Sequence, residues 1–351
     1  MTEPELLATD GGTDTGASGL LLSSPDAGMP RRPEYLTDES SRPRVRGETA
    51  PRFPFPLPNG WFIVAAAGDV APGEVRPLYY FGRDLVLFRT DEGVAHVTDA
   101  YCAHLGAHLG VGGRVEGETL VCPFHGWRYE GEGGRCVGIP YGSGKIPSRA
   151  KVRAFPTLER NAMVWAWFHL AGEPPFYDVP ELFEVDDPEW SDPYTVAFRV
   201  GTVCQEMAEN NHDPAHFQFV HGTESIPEED ALIEGTFKRV VSMGGEFVRE
   251  SYGLGLGVLR LGHDITFLSS TTPIDEESVY VRWTFLCPRS AGPGAPAEAA
   301  AAFTSGLSQD IPIWENKRYV ARPVLLREER SILEHRAWCE QFYSDPATAI
   351  A

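Results

Sequence analysis

The sequence predicts an α+β protein that begins, after a tail, with an antiparallel β domain. Between residues 53 and 170, many short apolar runs are separated by Gly, Pro and Asp, which is typical of antiparallel β structure. A Pro-rich and acidic stretch at 171–193 is typical of a connector. The second half combines an alternating strand pattern with an Ala-rich helical pattern. We therefore predict a tail at 1–50, a β domain at 51–175 and a second domain at 176–351.

The tail is rich in Gly, Ser, Thr, Asp and Pro and shows no sustained apolar periodicity. Such a segment buries too little apolar surface to offset the entropy that ordering removes. We expect it to be largely disordered.

Six short β-type runs follow the tail in the first domain. They lie at 61–67, 78–81, 85–89, 94–98, 119–122 and 163–168. Asp91-Glu92-Gly93 separates two of these runs and indicates a hairpin turn. Closely spaced strands with tight turns between them predict antiparallel pairing.

The second domain carries one clear strand pattern and one helical pattern. Residues 279–285 alternate between apolar and more polar side chains, which predicts a half-buried strand. The Ala-rich stretch from Ala297 and the spacing of Leu307, Ile311 and Trp314 predict a helix. Because proline is tolerated only in the first turn of a helix, Pro312 predicts a break or a new helix start near residue 310.

The charge balance excludes several classes of partner. The 351 residues include 30 Lys and Arg against 50 Asp and Glu, a formal net charge of −20. Nucleic acids and anionic membrane surfaces need clustered Lys and Arg, so neither is expected as the main partner. No apolar run approaches the roughly 18 residues of a membrane span. The N-terminus also lacks the basic start and apolar stretch of a secretory signal, so we predict a cytoplasmic protein.

Two Cys-His pairs form the first candidate site. The chain reads Cys102-Ala-His104 and then Cys122-Pro-Phe-His125. Two thiolates and two imidazoles on two loops can form a four-ligand metal site, and zinc is one candidate because it binds both ligand types. Zinc fingers, however, place both cysteines on one side and both histidines on the other, whereas each loop here supplies one of each. Four unrelated core residues remain the simplest alternative.

A second candidate site lies about ninety residues further on, at His216 and His221. On a regular helix, a step of five residues turns about 500°, so the two imidazoles would point about 140° apart. A distorted turn after Pro214 could bring both rings to one metal. Asp213 is close enough to orient that region. Alone, this spacing is a weak signal. His212 is adjacent but off the pattern, and we expect it at the surface or beside the site.

Together, the two constellations resemble the Rieske non-heme iron oxygenases over residues 53–345. Asn210, Asp213, His216 and His221 match the Asn-x2-Asp-x2-His-x4-His pattern of that family. The resemblance implies a [2Fe–2S] cluster held by two Cys and two His, and a mononuclear Fe(II) held by two His and one carboxylate. The implied cluster ligands are Cys102, His104, Cys122 and His125, and the implied iron ligands are His216, His221 and Asp310. Glu315 is the fallback carboxylate.

Four further segments are similar to a particular subgroup of that family. Residues 81–84, 101–110, 309–314 and 336–343 look most like the 3-ketosteroid 9α-hydroxylase oxygenase component and the cholesterol 7-desaturases. The resemblance implies a Rieske domain followed by a helix-grip-like catalytic domain. It also implies a terminal oxygenase that hydroxylates a hydrophobic, steroid-like substrate with O2.

The resemblance further implies an electron route and an assembly. A ferredoxin or a flavin reductase would supply electrons to the cluster, and the cluster would pass them to the iron. Asn210 and Asp213 are the implied catalytic residues beside the iron. Asp213 would bridge to a cluster histidine of the neighbouring subunit, with His125 as its partner, in a homotrimer. Two alternatives stay open: desaturation or oxidative cyclisation by the same iron, and a Rieske electron carrier without catalysis.

Overall fold

The computed structural model describes residues 51–349, so the predicted disordered tail at 1–50 lies outside the described residues. Within that range the chain divides into two compact units. The N-terminal unit contains 51–181, 272–276 and 341–349, and the C-terminal unit contains 182–271 and 277–340. Among the described residues, no helix combines the length and the apolar character that crossing a bilayer requires.

The N-terminal unit is built from three antiparallel sheets. Their strand orders are β1-β11-β10, β2-β3-β4-β9 and β5-β6-β7-β8. The strands are β1 (Gly60–Ala66), β2 (Val75–Tyr80), β3 (Arg83–Arg89), β4 (Ala95–Asp99), β5 (Arg114–Glu116), β6 (Thr119–Val121), β7 (Arg128–Glu130), β8 (Cys136–Gly138), β9 (Ala154–Phe155), β10 (Thr157–Arg160) and β11 (Met163–Phe168).

Tight turns set the register of these sheets. The two-residue turn Phe81-Gly82 joins β2 to β3, and both residues have positive φ (56° and 67°), as a type I′ hairpin requires. Phe81 tolerates this conformation because its ring is buried and stacks on Phe168, with centroids 4.6 Å apart. The predicted turn at 91–93 is present between β3 and β4, where the Gly93 amide donates to the Thr90 carbonyl (3.0 Å).

The C-terminal unit is a seven-stranded antiparallel sheet with helices. The strand order is β12-β18-β17-β16-β15-β14-β13. The strands are β12 (Tyr194–Val200), β13 (Glu229–Glu234), β14 (Phe237–Ser242), β15 (Phe247–Tyr252), β16 (Leu256–Leu261), β17 (Ile265–Pro273) and β18 (Val279–Leu286). The helices are α1 (Phe183–Asp186), α2 (Cys204–Glu209), α3 (Pro214–Phe219), α4 (Ala295–Asn316) and α5 (Arg330–Cys339). Helix α4 packs against β12 and β18.

The α+β class and the β-first organisation are therefore confirmed, but two local predictions are wrong. The first concerns Pro312, which does not break the helix: α4 runs without interruption from Ala295 to Asn316. Pro312 removes one backbone hydrogen bond, because its nitrogen has no proton to donate to the carbonyl of Ser308. The side chains of Leu307, Ile311 and Trp314 are buried around it, and this packing holds the turn in place.

The second concerns β18, which was predicted to be half-buried. The alternate residues Tyr280, Arg282 and Thr284 are as well buried as the apolar set, at 4%, 6% and 3% exposure. A strand with both faces covered buries both sets of alternate side chains, and on the second face the Arg282 guanidinium lies 5.6 Å from the centre of the Tyr280 ring. The Thr284 hydroxyl is paired with that of Thr195 on β12 (2.9 Å), so its polar group can be buried at little cost.

Two candidate metal centres

The two Cys-His loops of the N-terminal unit have the same turn geometry. Cys102 and Cys122 each begin a loop, and the amide of the residue four positions later donates back to the cysteine carbonyl (2.9 and 3.0 Å). Those residues are Gly106 and Gly126, with φ of 73° and 69°. Because L side chains rarely adopt this conformation, glycine is required at both turns. The sequence therefore repeats one turn twice, with a histidine inside each copy.

The four predicted cluster ligands are brought together. Both cysteine side chains are buried, and their thiols interact with each other. The rings of His104 and His125 lie 4.7 Å apart between centroids. In the described part of the chain, Nδ1 of each histidine is buried and has no hydrogen-bond partner. Since buried polar atoms are normally satisfied, two orphaned imidazole nitrogens beside two thiols fit metal ligation.

Aromatic side chains enclose this site. Trp127 stacks on His104, with centroids 4.6 Å apart and an interplanar angle of 7°. The Tyr129 hydroxyl lies 3.1 Å from Sγ of Cys102 and accepts from the Ala103 amide. Burial and the neighbouring Cys102 raise the pKa of Tyr129 above its ordinary value, so its hydroxyl stays protonated and would donate to the sulfur once Cys102 is a thiolate. Burial is also the main cause that raises the pKa of Cys102, and a bound metal would offset it.

In the C-terminal unit, a chain interruption creates the second site. Helix α2 is followed by a 3₁₀ turn at Asn210–His212, and α3 starts again at Pro214 with Asp213 as its N-cap. Helix α3 ends at Phe219, and the His221 amide approaches the His216 carbonyl (3.4 Å), a bond over five residues. This widened turn is the distortion that the sequence required. It brings the two imidazole rings to 5.1 Å between centroids.

Helix α4 supplies a carboxylate to this pair. One ligand atom from each of His216, His221 and Asp310 lies within 4.8 Å of the others. Nε2 of His221 is 3.3 Å from Oδ2 of Asp310, and the Asn210 side chain also bonds to this carboxyl group. Burial raises the pKa of Asp310, while His221, His216 and Asn210 oppose that shift. Two imidazoles and one carboxylate form the facial ligand set of non-heme Fe(II) sites.

The fallback carboxylate lies elsewhere. Oε1 of Glu315 accepts a hydrogen bond from the Gly201 amide at 3.3 Å. It does not belong to the group of three ligand atoms around His216 and His221. Five residues of regular helix separate it from Asp310, so the two carboxylates project about 140° apart.

Hydrogen bonds to the Nδ1 atoms of His216 and His221 determine that Nε2 of each ring faces the site. The Asp213 carbonyl accepts from Nδ1 of His216, and the Asp213 carboxylate accepts from the His216 amide (3.4 Å). Nδ1 of His221 is bonded to Oε1 of Gln309 at 2.9 Å. Both Nε2 atoms are thereby left for a metal. Sequence reasoning did not assign Gln309 a role, although its position directly before Asp310 could have indicated one.

His212 is not at the surface: its side chain is 3% exposed. It accepts a hydrogen bond from the buried ammonium of Lys238 (2.7 Å), which also donates to Nδ1 of His335 (2.6 Å) and lies 4.0 Å from the centre of the Trp338 ring. Burial lowers the pKa of Lys238 to about 7 and that of His212 to about 3.

The contacts between Lys238, His212 and His335 hold in place the segment that carries Asn210 and Asp213. Sequence reasoning missed Lys238, which lies among inward-facing positions of β14.

A cavity of about 430 Å³ adjoins the three candidate iron ligands. One face of the sheet lines it, through alternate residues of β15, β16 and β17, together with Phe303 of α4. Gly257 leaves open space on this wall, because a Cβ there would make only ordinary contacts of 3.5 Å or more. The volume lies within the roughly 300–1,000 Å³ of small-molecule sites.

Together, the candidate Cys2His2 cluster site and the candidate His2Asp iron site indicate a Rieske-type oxygenase. Two family models match the chain: the Rieske [2Fe-2S] domain at residues 60–156 and the 3-ketosteroid 9alpha-hydroxylase C-terminal domain at 166–343. The second covers half of the chain. The protein therefore belongs to the Rieske oxygenases that carry this C-terminal domain, as the sequence predicted. It is an oxidoreductase with a [2Fe–2S] cluster and a mononuclear iron as its cofactors.

Several characterised proteins are similar over most of their length. Cholesterol 7-desaturase nvd from Xenopus laevis is 30% identical, over 88% of this chain and 76% of that protein. The oxygenase component of a 3-ketosteroid-9-alpha-monooxygenase from Rhodococcus rhodochrous is also 30% identical, over 88% of this chain and 90% of that protein.

Solved structures share the fold. A mutant of NdmA from Pseudomonas putida CBB5, solved with theobromine, gives a TM-score of 0.67 at 21% identity, over 80% of this chain and 89% of that chain. Dicamba monooxygenase bound to dicamba gives 0.60 at 19% identity, over 81% and 96%. At these identities the likeness concerns the fold.

We predict that Tyr129→Phe lowers the midpoint potential of the [2Fe–2S] cluster. When Cys102 is a thiolate its sulfur can only accept, so the Tyr129 hydroxyl would donate to it, and this bond would stabilise the more negative, reduced state. A loss of about 1 kcal/mol corresponds to about 40 mV for one electron. A redox titration followed by absorbance measures it. Tyr101→Phe is the matched control, because that hydroxyl bonds to Asp84. Equal midpoint potentials in Tyr129→Phe and the wild type would show that the Tyr129 hydroxyl does not tune the cluster.

We also predict a pH-dependent stability effect of Lys238→Met. Burial lowers the Lys238 pKa from 10.5 to about 7 in the folded protein, so between these values the unfolded chain binds more protons. The unfolding free energy of the wild type should therefore rise from pH 7 to 9 relative to the variant, by up to about 1.4 kcal/mol per pH unit. Urea unfolding at both pH values measures this. The exposed Lys151→Met should run parallel to the wild type, and parallel curves for Lys238→Met would contradict the prediction.

Proposed function

We propose that this enzyme hydroxylates a hydrophobic, polycyclic, steroid-like substrate with O2 and externally supplied electrons. The observation that carries the proposal is the cavity, because its largely apolar wall ends at His216, His221 and Asp310. Its volume of about 430 Å³ and its largely apolar wall suit a hydrophobic ring system better than a small polar molecule. Relatives named as 3-ketosteroid monooxygenases and cholesterol desaturases support the same substrate class.

The proposed roles of the residues follow from the contacts in each unit. Cys102, Cys122, His104 and His125 would hold the [2Fe–2S] cluster, which supplies one electron at a time. His216, His221 and Asp310 would hold the mononuclear iron, which supplies O2 activation when bound. Asn210 would keep the Asp310 carboxylate oriented, and Gln309 and Asp213 would hold the Nδ1 sides of the two imidazoles. Phe247, Phe267 and Phe303 would exclude water from the substrate.

We propose a homotrimer in which Asp213 links the iron site to His125 of the partner subunit. The surface beside the cluster supports docking of another protein surface, because Leu105 and Phe124 are 65% and 61% exposed next to the cluster histidines. The electron donor would be a ferredoxin or a flavin reductase in the cytoplasm. With a net charge of −20, the oxygenase needs a donor with a complementary basic surface or a local basic patch of its own.

Turnover of a steroid by the reconstituted enzyme tests this function. The holoenzyme, a ferredoxin reductase system and androstenedione should give a product that has gained one oxygen atom. Asp310→Ala should retain the [2Fe–2S] absorbance, lose about one of three irons per chain and form no product, whereas Glu315→Gln should behave like the wild type. A product that has lost two hydrogens would instead identify a desaturase or cyclase. An Asp310→Ala protein with full iron content would refute the ligand assignment.

The bridging role of Asp213 has its own test. Asp213→Asn can still cap α3, because an amide oxygen accepts from the His216 amide as the carboxylate does. We expect both cofactors to stay bound and steady-state turnover to be abolished, since the charge needed between two histidines is gone. Iron analysis and product formation measure the two effects. Asp230→Asn, an exposed position on β13, is the matched control. Unchanged turnover in Asp213→Asn would contradict the bridge.

A further inference from the structure

One loop of the N-terminal unit carries positive charge on a chain that is strongly negative. Between residues 139 and 151, which we call the basic loop, the sequence contains Lys145, Arg149 and Lys151 and no Asp or Glu. The formal net charge of the whole chain is −20. All three cations are exposed, and among the described residues none of them forms an ion pair. They are therefore available to a negatively charged partner.

Two carboxylates of the adjacent sheet already have partners within that sheet. The basic loop follows β8, and in the sheet β5-β6-β7-β8 Glu116 is paired with Arg114 and Arg128. Glu130 is paired with Arg135 at 2.6 Å. Because these ion pairs compensate charge inside the sheet, they leave the positive charge of the basic loop in place.

The basic loop is attached to the core of the candidate cluster site. Ile139 and Ile146 pack against the buried hydrophobic cluster that contains the two ligand cysteines, and Ala150 belongs to that cluster. Lys145 directly precedes Ile146, and Arg149 directly precedes Ala150. These apolar contacts therefore hold two of the cations at the surface outside the cluster site.

Tyr141 connects the basic loop to both candidate histidine ligands of the cluster. Its side chain is 62% exposed, and its hydroxyl accepts a hydrogen bond from Nε1 of Trp127 at 2.9 Å. The Trp127 ring in turn stacks on His104, with centroids 4.6 Å apart. The Tyr141 ring also lies 6.4 Å from the ring of His125. A protein that docks on the basic loop and covers Tyr141 is thus separated from each histidine by no more than two aromatic side chains.

We propose that the basic loop is the docking surface for the electron donor, and that this donor is an acidic electron-transfer protein. The donor loses one electron and the cluster gains it, and no bond is made or broken. A basic donor would be attracted to much of this negative chain, whereas an acidic donor is attracted to the basic loop and is oriented by it. Leu105 and Phe124 are left for the partner subunit. This inference rests on the proposed supply of electrons by a separate protein, and it adds the docking surface and the charge of that protein.

Binding, measured without steroid and without turnover, tests the proposal. The oxidised holoenzyme is titrated by calorimetry with an acidic plant-type [2Fe–2S] ferredoxin and, separately, with basic cytochrome c. At an ionic strength of about 0.1 M the screening length is about 10 Å, so charges at the interface count for more than the net charge. The wild type should bind the ferredoxin, and Lys145→Gln/Arg149→Gln/Lys151→Gln should raise its Kd about tenfold.

A second triple variant is the matched control. Arg239→Gln/Arg322→Gln/Arg327→Gln removes the same number of positive charges at exposed positions of the C-terminal unit. Its Kd for the ferredoxin should stay within about twofold of the wild type. The [2Fe–2S] absorbance and the sedimentation of both triple variants are measured alongside binding.

Three outcomes would overturn the proposal. Equal ferredoxin affinity in the wild type and the loop variant would refute the docking surface. A wild type that does not bind the ferredoxin would refute an acidic donor, whether or not it binds cytochrome c. A loop variant that loses the oligomeric state of the wild type, while the control variant keeps it, would identify a second copy of this chain as the occupant.

Failure of this inference and failure of the proposed function are distinguishable. Ferredoxin binding that depends on the basic loop, without any steroid product, would support the docking surface and reject the steroid substrate. Steroid hydroxylation with unchanged ferredoxin affinity in the loop variant would do the reverse. Should the triple variant lose its [2Fe–2S] absorbance, Lys145→Glu decides in the same titration: a Kd raised about threefold supports the proposal, and an unchanged Kd overturns it.

Discussion

The C-terminal site depends on one interruption of a helical segment. A continuous helix through residues 204–221 would point His216 and His221 away from each other. The 3₁₀ turn before Asp213, the fresh start at Pro214 and the bond over five residues into His221 together rotate both rings toward α4. The same turn places the Asp213 carbonyl against Nδ1 of His216. The geometry of the two candidate histidine ligands and the tautomer of His216 are thus set by the local backbone, whereas Gln309 of α4 sets the tautomer of His221.

The N-terminal site depends on a different constraint, which is burial. Its two cysteines belong to the same core cluster as Leu109, Leu120 and Tyr129, so the thiols leave water when the loops fold. Burial raises the pKa of Cys102, and the Tyr129 hydroxyl is the neutral donor that partly compensates. The matched glycine turns then fix both loops on this core. The described cysteines form no disulfide, so these glycine turns and the packing of the core hold the two loops together.

Much of this architecture could be predicted from the sequence, because the patterns that predict strands, turns and metal ligands involve adjacent residues. The strands at 85–89 and 163–168, the turn at 91–93 and the two Cys-His pairs each depend on a few adjacent residues. The burial of Tyr280, Arg282 and Thr284 depends on what covers the second face of the sheet, and the intact α4 depends on packing around Pro312. Lys238 and Arg249 were missed for the same reason. The partners of Lys238 and Arg249 lie on other strands and helices, so no pattern of adjacent residues predicts these contacts.

Those two cations share a face of the sheet, and they show how the C-terminal unit treats buried charge. Lys238 and Arg249 lie on neighbouring strands, one inward position (two residues) apart in register, since Arg249 pairs with Val240. The Lys238 side chain donates hydrogen bonds to two neutral imidazoles and lies over an indole ring. In Arg249, Nη2 is paired with Glu229, whereas Nε and Nη1 have no hydrogen-bond partner among the described residues. A fold that needed these charges only for stability would gain more from apolar residues of similar size. Lys238 orders the segment that carries Asn210 and Asp213, and the wall beside that segment holds unpaired donors. The retention of Lys238 is therefore best explained by the position that its bond to His212 gives to this segment beside the candidate iron ligands.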